Sequence, residues 1–192
     1  AKISSKKELV NRQSWPYSLS TLTRRTRNTM KWDDIGSLNC SIARSLALIG
    51  DRWTLLLLRN AFLGTRRFDD FQSQLGVTRH VLAERLKRLV EADILSKEAY
   101  QPNRYEYRLT IKGRALYPVL LALTAWGDTY LDEGAGPPLV YHHKNCGKAM
   151  TATMTCSECG EAVHARDVLP MVGPGFLAGG TPAKSLAAKK QA

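Results

Sequence analysis

Between Phe68 and Leu109 the spacing of apolar residues changes period at two defined points, and few folds accommodate that change. Phe68, Phe71 and Leu75 fall at helical spacing. Gly76-Val77 breaks the run, and Thr78 precedes a second helical series of Leu82, Leu86, Leu89 and Val90. Threonine suits a helix start, because its hydroxyl accepts an N–H that the first turn leaves unpaired. Past Asp93 the helical period is lost. Residues 95–100 alternate weakly, and Tyr105, Tyr107 and Leu109 alternate clearly with Glu106 and Arg108. Gln101-Pro102-Asn103-Arg104 lies between them as a turn. Two helices joined by a tight turn and followed by a hairpin predict a helix-turn-helix with a wing.

The flanks extend the same domain. Ile42, Leu46 and Ile49 share one helical face and Gly50 ends it. Asp51 is placed to cap a helix over 52–62, whose run Leu55 to Leu58 is apolar all round and therefore central. Thr110 caps a helix to Leu116, and Pro118 suits the first turn of a helix over 119–131. Leu120, Leu121, Leu123, Trp126 and Tyr130 occupy more than one face of that last helix. So apolar a surface at the end of a small domain needs a partner, and a second copy of the chain, giving a homodimer, is the simplest. The expected fold class is mainly α with a small β-hairpin wing. A winged helix-turn-helix domain over 30–133 would bind DNA and dimerise, with a small zinc-ribbon-like segment over 139–168. A flexible basic segment over 1–29 precedes it, and a disordered Gly/Ala/Lys-rich tail over 173–192 follows.

The 192 residues carry a formal charge of +11, which favours a polyanionic partner. Seven of the Lys and Arg, against one acid, fall in residues 1–29, so the charge of the folded part is milder. No apolar run reaches the roughly 18–20 residues that span a bilayer, and no membrane association is expected. With no secretory-type apolar core at the N-terminus, a cytoplasmic location is expected and a disulfide framework is not.

The stretch Cys40-Ser-Ile, Ile49-Gly-Asp-Arg-Trp53-Thr-Leu-Leu, Arg67-Phe68 with Phe71, Gly76-Val-Thr, and Arg104-Tyr-Glu-Tyr-Arg-Leu-Thr-Ile-Lys-Gly113 resembles HxlR-type winged-helix regulators, relatives of the MarR group. The resemblance covers about residues 38–132. It departs from the family's pattern at Cys40-Ser41, where the family often has Cys-Pro. Asp93 stands where a glycine is common, and Pro102-Asn103 where two prolines are common.

A recognition helix enters the major groove with its N-terminal residues against base edges. Those residues are Thr78, Arg79 and His80. Arg79 suits a guanine O6/N7 pair, and Thr78 a base or phosphate. Arg85 and Lys87 further along, and Arg66 and Arg67 before the shorter helix, suit phosphates. Asn103 and Arg104 at the wing tip suit the minor groove or its flanking phosphates. Arg67 also suits a brace within the fold, and Arg88 and Arg108 are read as structural. The alternative for the whole set is a solvated helix face and an ordinary turn.

His143-x-x-Cys146 and Cys156-x-x-Cys159 each end in Cys-Gly. One histidine and three cysteines in two such pairs suit structural, tetrahedral zinc, the glycines letting each loop turn beneath the metal. His142 is an alternative to His143, and His164 a distant reserve. The competing readings are metal-free turns and a redox Cys-x-x-Cys, though no thioredoxin-like surroundings accompany Cys156. Cys40 opens a helix, where the dipole favours thiolate, and the resemblance implies a candidate redox sensor. A small buried core residue is the alternative there.

These observations predict a sequence-specific transcriptional regulator, a dimeric repressor of double-stranded DNA that answers a small-molecule or redox signal. The alternative is a winged-helix/zinc-ribbon adaptor for protein or RNA. An enzyme is not expected, since no nucleophile–base set, phosphate loop or cofactor motif occurs.

Overall fold

The computed structural model describes residues 31–177. Most of both terminal segments, read above as a flexible arm and a disordered tail, lies outside the described residues. A 3-10 turn at Trp32–Ser37 leads into α1 (Ser41–Ile49), α2 (Thr54–Phe62), α3 (Phe68–Leu75) and α4 (Arg79–Glu91). The hairpin β1 (Leu95–Gln101) and β2 (Arg104–Leu109) follows, then the short α5 (Ile111–Arg114) and α6 (Tyr117–Tyr130). Beyond a linker, β3 (Tyr141–His142) and β4 (Ala149–Met150) pair, and α7 (Pro174–Leu177) ends the described chain. The result is mainly helical with a small antiparallel hairpin, as a winged helix requires.

Local chemistry sets the boundaries. Gly76 ends α3 in the left-handed region at φ 66°, which costs glycine nothing. Thr78 caps α4, its hydroxyl accepting the Val81 N–H at 3.4 Å. Asp93 sits at φ 55°, a conformation that a short polar side chain tolerates, and so replaces a turn glycine. The expected helix over 52–62 begins at Thr54 instead. The Asp51 carboxylate accepts the Trp53 and Thr54 N–H groups at 3.0 and 3.1 Å, which holds residues 51–53 as a turn ahead of the helix. The Thr54 hydroxyl donates to the same carboxylate. At the opposite end of the domain, α6 begins before the expected 119, because Pro118 is accommodated in its first turn.

The core joins all of these elements. Leu57 and Leu58 of α2, Phe71 of α3, and Leu82, Leu86 and Leu89 of α4 are buried together with Val77, Ile94 and Leu95. The buried Asn60 links α2 to α3: its amide donates to Gln74 Oε1 at 3.0 Å, and Arg59 donates to its Oδ1. The hairpin pairs Leu95 with Leu109 and closes at Gln101 with Arg104, with a register irregularity between Ala99 and Gln101. Pro102 and Asn103 form its tip, Asn103 at φ 58°. One connection was not foreseen. Arg67 bridges to Glu106, and the Tyr107 N–H donates to the Arg66 carbonyl at 2.8 Å. The chain entering α3 is thereby a third partner of the wing sheet.

Candidate nucleic-acid interface

The amphipathic pattern of α4 decides which side chains face outward. Its Leu82, Leu86 and Leu89 are buried, so Thr78, Arg79, His80 and Lys87 are exposed. Arg79 lies across the start of α3. Its guanidinium donates to Asp69 Oδ1 at 3.1 Å and to Gln72 Oε1 at 3.2 Å, and sits 4.9 Å from the centroid of the Phe68 ring. The Arg79 and Asp69 side chains are 70% and 82% exposed, so water screens this pair and a stronger acceptor can displace it. Lys87 faces Glu91 one turn on at 3.8 Å, also in solvent.

Arg85 is placed differently from its neighbours. Its Nε stands 3.0 Å from Asp51 Oδ1, both side chains being 19% exposed, and its Nη1 donates to Glu84. The Nε–H is not aimed at the carboxylate oxygen and has no hydrogen-bond acceptor, so the contact is an ion pair. Burial raises the Asp51 pKa. The Thr54 hydroxyl, the Trp53 N–H and the Arg85 charge outweigh this and hold it below the ordinary carboxylate value. The expectation of a phosphate contact at Arg85 therefore does not match its surroundings. The residue ties α4 to the cap of α2.

Arg66 and Arg67 precede α3, both exposed. Arg67 lies 4.9 Å over the Tyr100 ring, with its Nε 3.8 Å from Glu106 and its side chain 57% exposed. Asn103 and Arg104 are exposed at the wing tip. Arg88 donates to the Ala47 carbonyl of the α1 helix, and Arg108 pairs with Glu98 and Glu106. Sequence reasoning missed Lys97, exposed on β1 with its Nζ 4.1 Å from the Tyr105 ring centroid. A single lysine in a weakly alternating strand carries no signal of its own. Asp69 and Gln72, which hold Arg79, were also missed, since only the packed angle of α3 on α4 brings them near.

The arrangement is thus an exposed helix start, two arginines before α3 and a basic wing. Its relatives are consistent in kind. Residues 48–135 match the HxlR-like helix-turn-helix family. The chain is 45% identical over 140 residues to an uncharacterized HTH-type transcriptional regulator of Mycobacterium tuberculosis, covering 72% of this chain and 89% of that protein. The chain belongs to the HxlR-like helix-turn-helix family. A more distant relative, the HTH-type transcriptional regulator YdeP of Bacillus subtilis, is 33% identical over 97 residues, 49% of this chain and 76% of that one. Among solved structures, the candidate transcription factor PA1607 aligns with a TM-score of 0.65 at 34% identity, over 73% of this chain and 99% of its own. The candidate transcription factor PA1374 of Pseudomonas aeruginosa aligns at 0.52 and 33%, over 70% and 93%.

As a member of the HxlR-like family the chain is a transcriptional regulator with a helix-turn-helix DNA-binding fold, and it is not an enzyme. No described helix is long and apolar enough to cross a membrane. Cys40 is exposed and precedes α1 without making a capping bond, which overturns the alternative of a buried core cysteine. A cavity of about 250 Å³ opens between α2 and α6, lined by Leu55, Leu56, Phe62, Leu120 and Leu121, with Arg59, Tyr117, Thr124 and Tyr141 as its polar members. In the Cys/His segment, Cys146 Sγ lies 3.5 Å from His143 Nδ1, whereas His142 Nδ1 lies 3.0 Å from the Gly147 carbonyl. Cys156 receives the N–H groups of Cys159 and Glu158, which hold its thiol pKa below the ordinary value.

Proposed function

We propose that this HxlR-like regulator is a dimeric repressor that lays α4 in the major groove of a near-palindromic operator. Thr78, Arg79 and His80 would meet base edges there. Arg66, Arg67, Lys87, Asn103 and Arg104 would contact the backbone or the adjacent minor groove, joined by Lys97. The single observation that carries this reading is the state of the α4 start. Its first-turn side chains are exposed while the opposite face is locked into the core, which is the rigid presentation that base readout needs. Dimerisation is supported by α6, which is strongly apolar yet has no buried residue. Trp126 is 56% exposed and Tyr130 70%. The cavity between α2 and α6 suits a small, mostly apolar effector with one anionic or polar group for Arg59. Bound there, beside the helix that joins two copies, it would change their spacing and so their fit to two half-sites.

Titration against fragments of the protein's own upstream region, with random duplex as competitor and salt varied, tests the reading. The expected result is nanomolar binding to one fragment, weakened about 10- to 100-fold by Arg79→Ala, with the preference at one base position relaxed. Equal and steeply salt-dependent binding to every duplex would overturn it, and would leave the adaptor for protein or RNA as the better account.

A further inference from the structure

We infer that residues 139–168 form a structural zinc site, with His143, Cys146, Cys156 and Cys159 as its four ligands and each pair presented by one of two matching hairpin tips.

The argument begins with burial. Among the described residues none beyond Gly113 is buried, so the Cys/His segment has no apolar core of its own. It nonetheless makes regular turns. A segment of about 30 residues holds such structure only with a staple, since its burial is too small to offset the ordering of the chain.

The two tips share one backbone geometry. In the first, the His143 N–H donates to the Lys148 carbonyl at 2.9 Å, and the Gly147 N–H donates to the His143 carbonyl at 2.7 Å. In the second, the Cys156 N–H donates to the Glu161 carbonyl at 2.8 Å, and the Gly160 N–H donates to the Cys156 carbonyl at 2.9 Å. Both glycines are left-handed, Gly147 at φ 68° and Gly160 at 74°. The flanks pair in both cases: β3 with β4 around the first tip, and Thr155 with Ala162 around the second. The six-residue sequences His-Lys-Asn-Cys-Gly-Lys and Cys-Ser-Glu-Cys-Gly-Glu share little except a metal-binding residue type first, cysteine fourth and glycine fifth. Those are the positions that put two ligands on one side of a tight turn.

Distances within the first tip agree. Zinc bonds of about 2.3 Å to sulfur and 2.0–2.1 Å to nitrogen at the tetrahedral angle place the two ligand atoms about 3.6 Å apart. Cys146 Sγ and His143 Nδ1 stand 3.5 Å apart. The choice between the adjacent histidines follows as well. His142 is engaged with the carbonyl of Gly147 beneath the turn, and His143 is the one facing the thiol.

Among the described residues, no three His, Cys, Asp or Glu side chains are gathered closely enough to hold an ion. Each tip is formed, and the metal would draw the second onto the first. Zn²⁺ would replace the three thiol protons, which pass to solvent, and take the neutral imidazole as its fourth ligand, with no change of oxidation state. With four protein ligands it has no open position for catalysis. The gain is mechanical. The first hairpin lies along α6, where Val140, Tyr141 and Met150 share a cavity with Leu121, Thr124 and Ala125, so closing the two tips fixes the segment on that helix.

The full chain, purified reduced and stripped of metal, is titrated with CoCl2 and then with ZnCl2. The expected result is saturation at about one Co²⁺ per chain, with the intense visible absorption of a tetrahedral site, a near-ultraviolet thiolate-to-metal band, and displacement by Zn²⁺. Cys156→Ser and His143→Ala should each weaken Co²⁺ binding at least tenfold and reduce the absorption, and Cys40→Ser should change neither. A weak octahedral spectrum in the unaltered chain would overturn the inference. So would unchanged binding in both ligand variants, or a reversible Cys156–Cys159 disulfide that forms equally fast with zinc present. The unaltered chain supplies the deciding spectrum even where a variant fails to fold.

Discussion

Asp51 does three things at once, and each is a matter of where its two oxygens lie. It closes the turn before α2, receives the Thr54 hydroxyl, and faces Arg85 of α4. Capping alone is worth about 0.5–2 kcal/mol, and here the same carboxylate also forms an ion pair with Arg85 of α4. Because the folded pKa lies below the unfolded value near 3.8, the stabilisation is complete above that pH and is lost as pH falls through the folded value. Urea unfolding of Asp51→Asn at pH 6 and at pH 3 should therefore show a smaller loss of stability on acidification than the unaltered protein shows. Equal losses in the two proteins would remove Asp51 from the account. Arg79 illustrates the opposite case. Its carboxylate partner Asp69 is largely in solvent, so on the proposed reading a DNA acceptor can displace it.

At the scale of elements, the wing is positioned from both ends. Arg66 and Arg67 attach its outer strand to the entrance of α3, and α5 returns the chain against Ile94, just ahead of β1, through one close contact. A Cβ on Gly113 would stand 2.1 Å from the Ile94 carbonyl oxygen, a distance no side chain tolerates. Thr110 and Lys112 donate to neighbouring carbonyls at Asp93 and Ala92, so little slack exists there. Gly113→Ala should cost at least about 1–3 kcal/mol and lower the thermal midpoint, measured by circular dichroism. An unchanged midpoint would mean that α5 shifts freely. Most of these elements were legible beforehand, because caps, breaks and period are local: Thr78, Gly76 and the Tyr105–Tyr107–Leu109 alternation each act within a few residues. The Arg67–Glu106 bridge was not, since nothing in the residues themselves relates positions so far apart in the chain.

At the scale of the molecule, α6 poses the main question of assembly. Its side chains line two cavities, and Leu123, Trp126 and Tyr130 remain largely exposed, the two aromatic rings 5.7 Å apart. Exposed apolar side chains of this kind suit the dimer contact proposed above. Trp126→Glu is expected to convert a dimer to a monomer in analytical ultracentrifugation. It should keep the helical circular dichroism of the fold, lower the thermal midpoint only by what loss of association removes, and lower operator affinity at least tenfold, since two half-sites would no longer be joined. A wild-type chain that sediments as a monomer at micromolar concentration would rule out this surface as a dimer contact.

What could be read from the order of residues was most of what depends on near neighbours: the caps at Thr78 and Thr110, the break at Gly76, the turn at 101–104, the hairpin, the basic helix start, and the two Cys/His pairs. Steric and hydrogen-bonding preferences of single residues act over three or four positions, so a linear reading captures them. The division of labour among like charges lay beyond it. Arg79 and Arg85 are both arginines on one helix, yet one meets solvent-exposed partners and the other a half-buried carboxylate from 34 positions earlier in the chain. That difference arises from the packing of α2, α3 and α4 around Phe71 and Leu86, because charge pairing depends on distance in space, and only the folded core sets those distances.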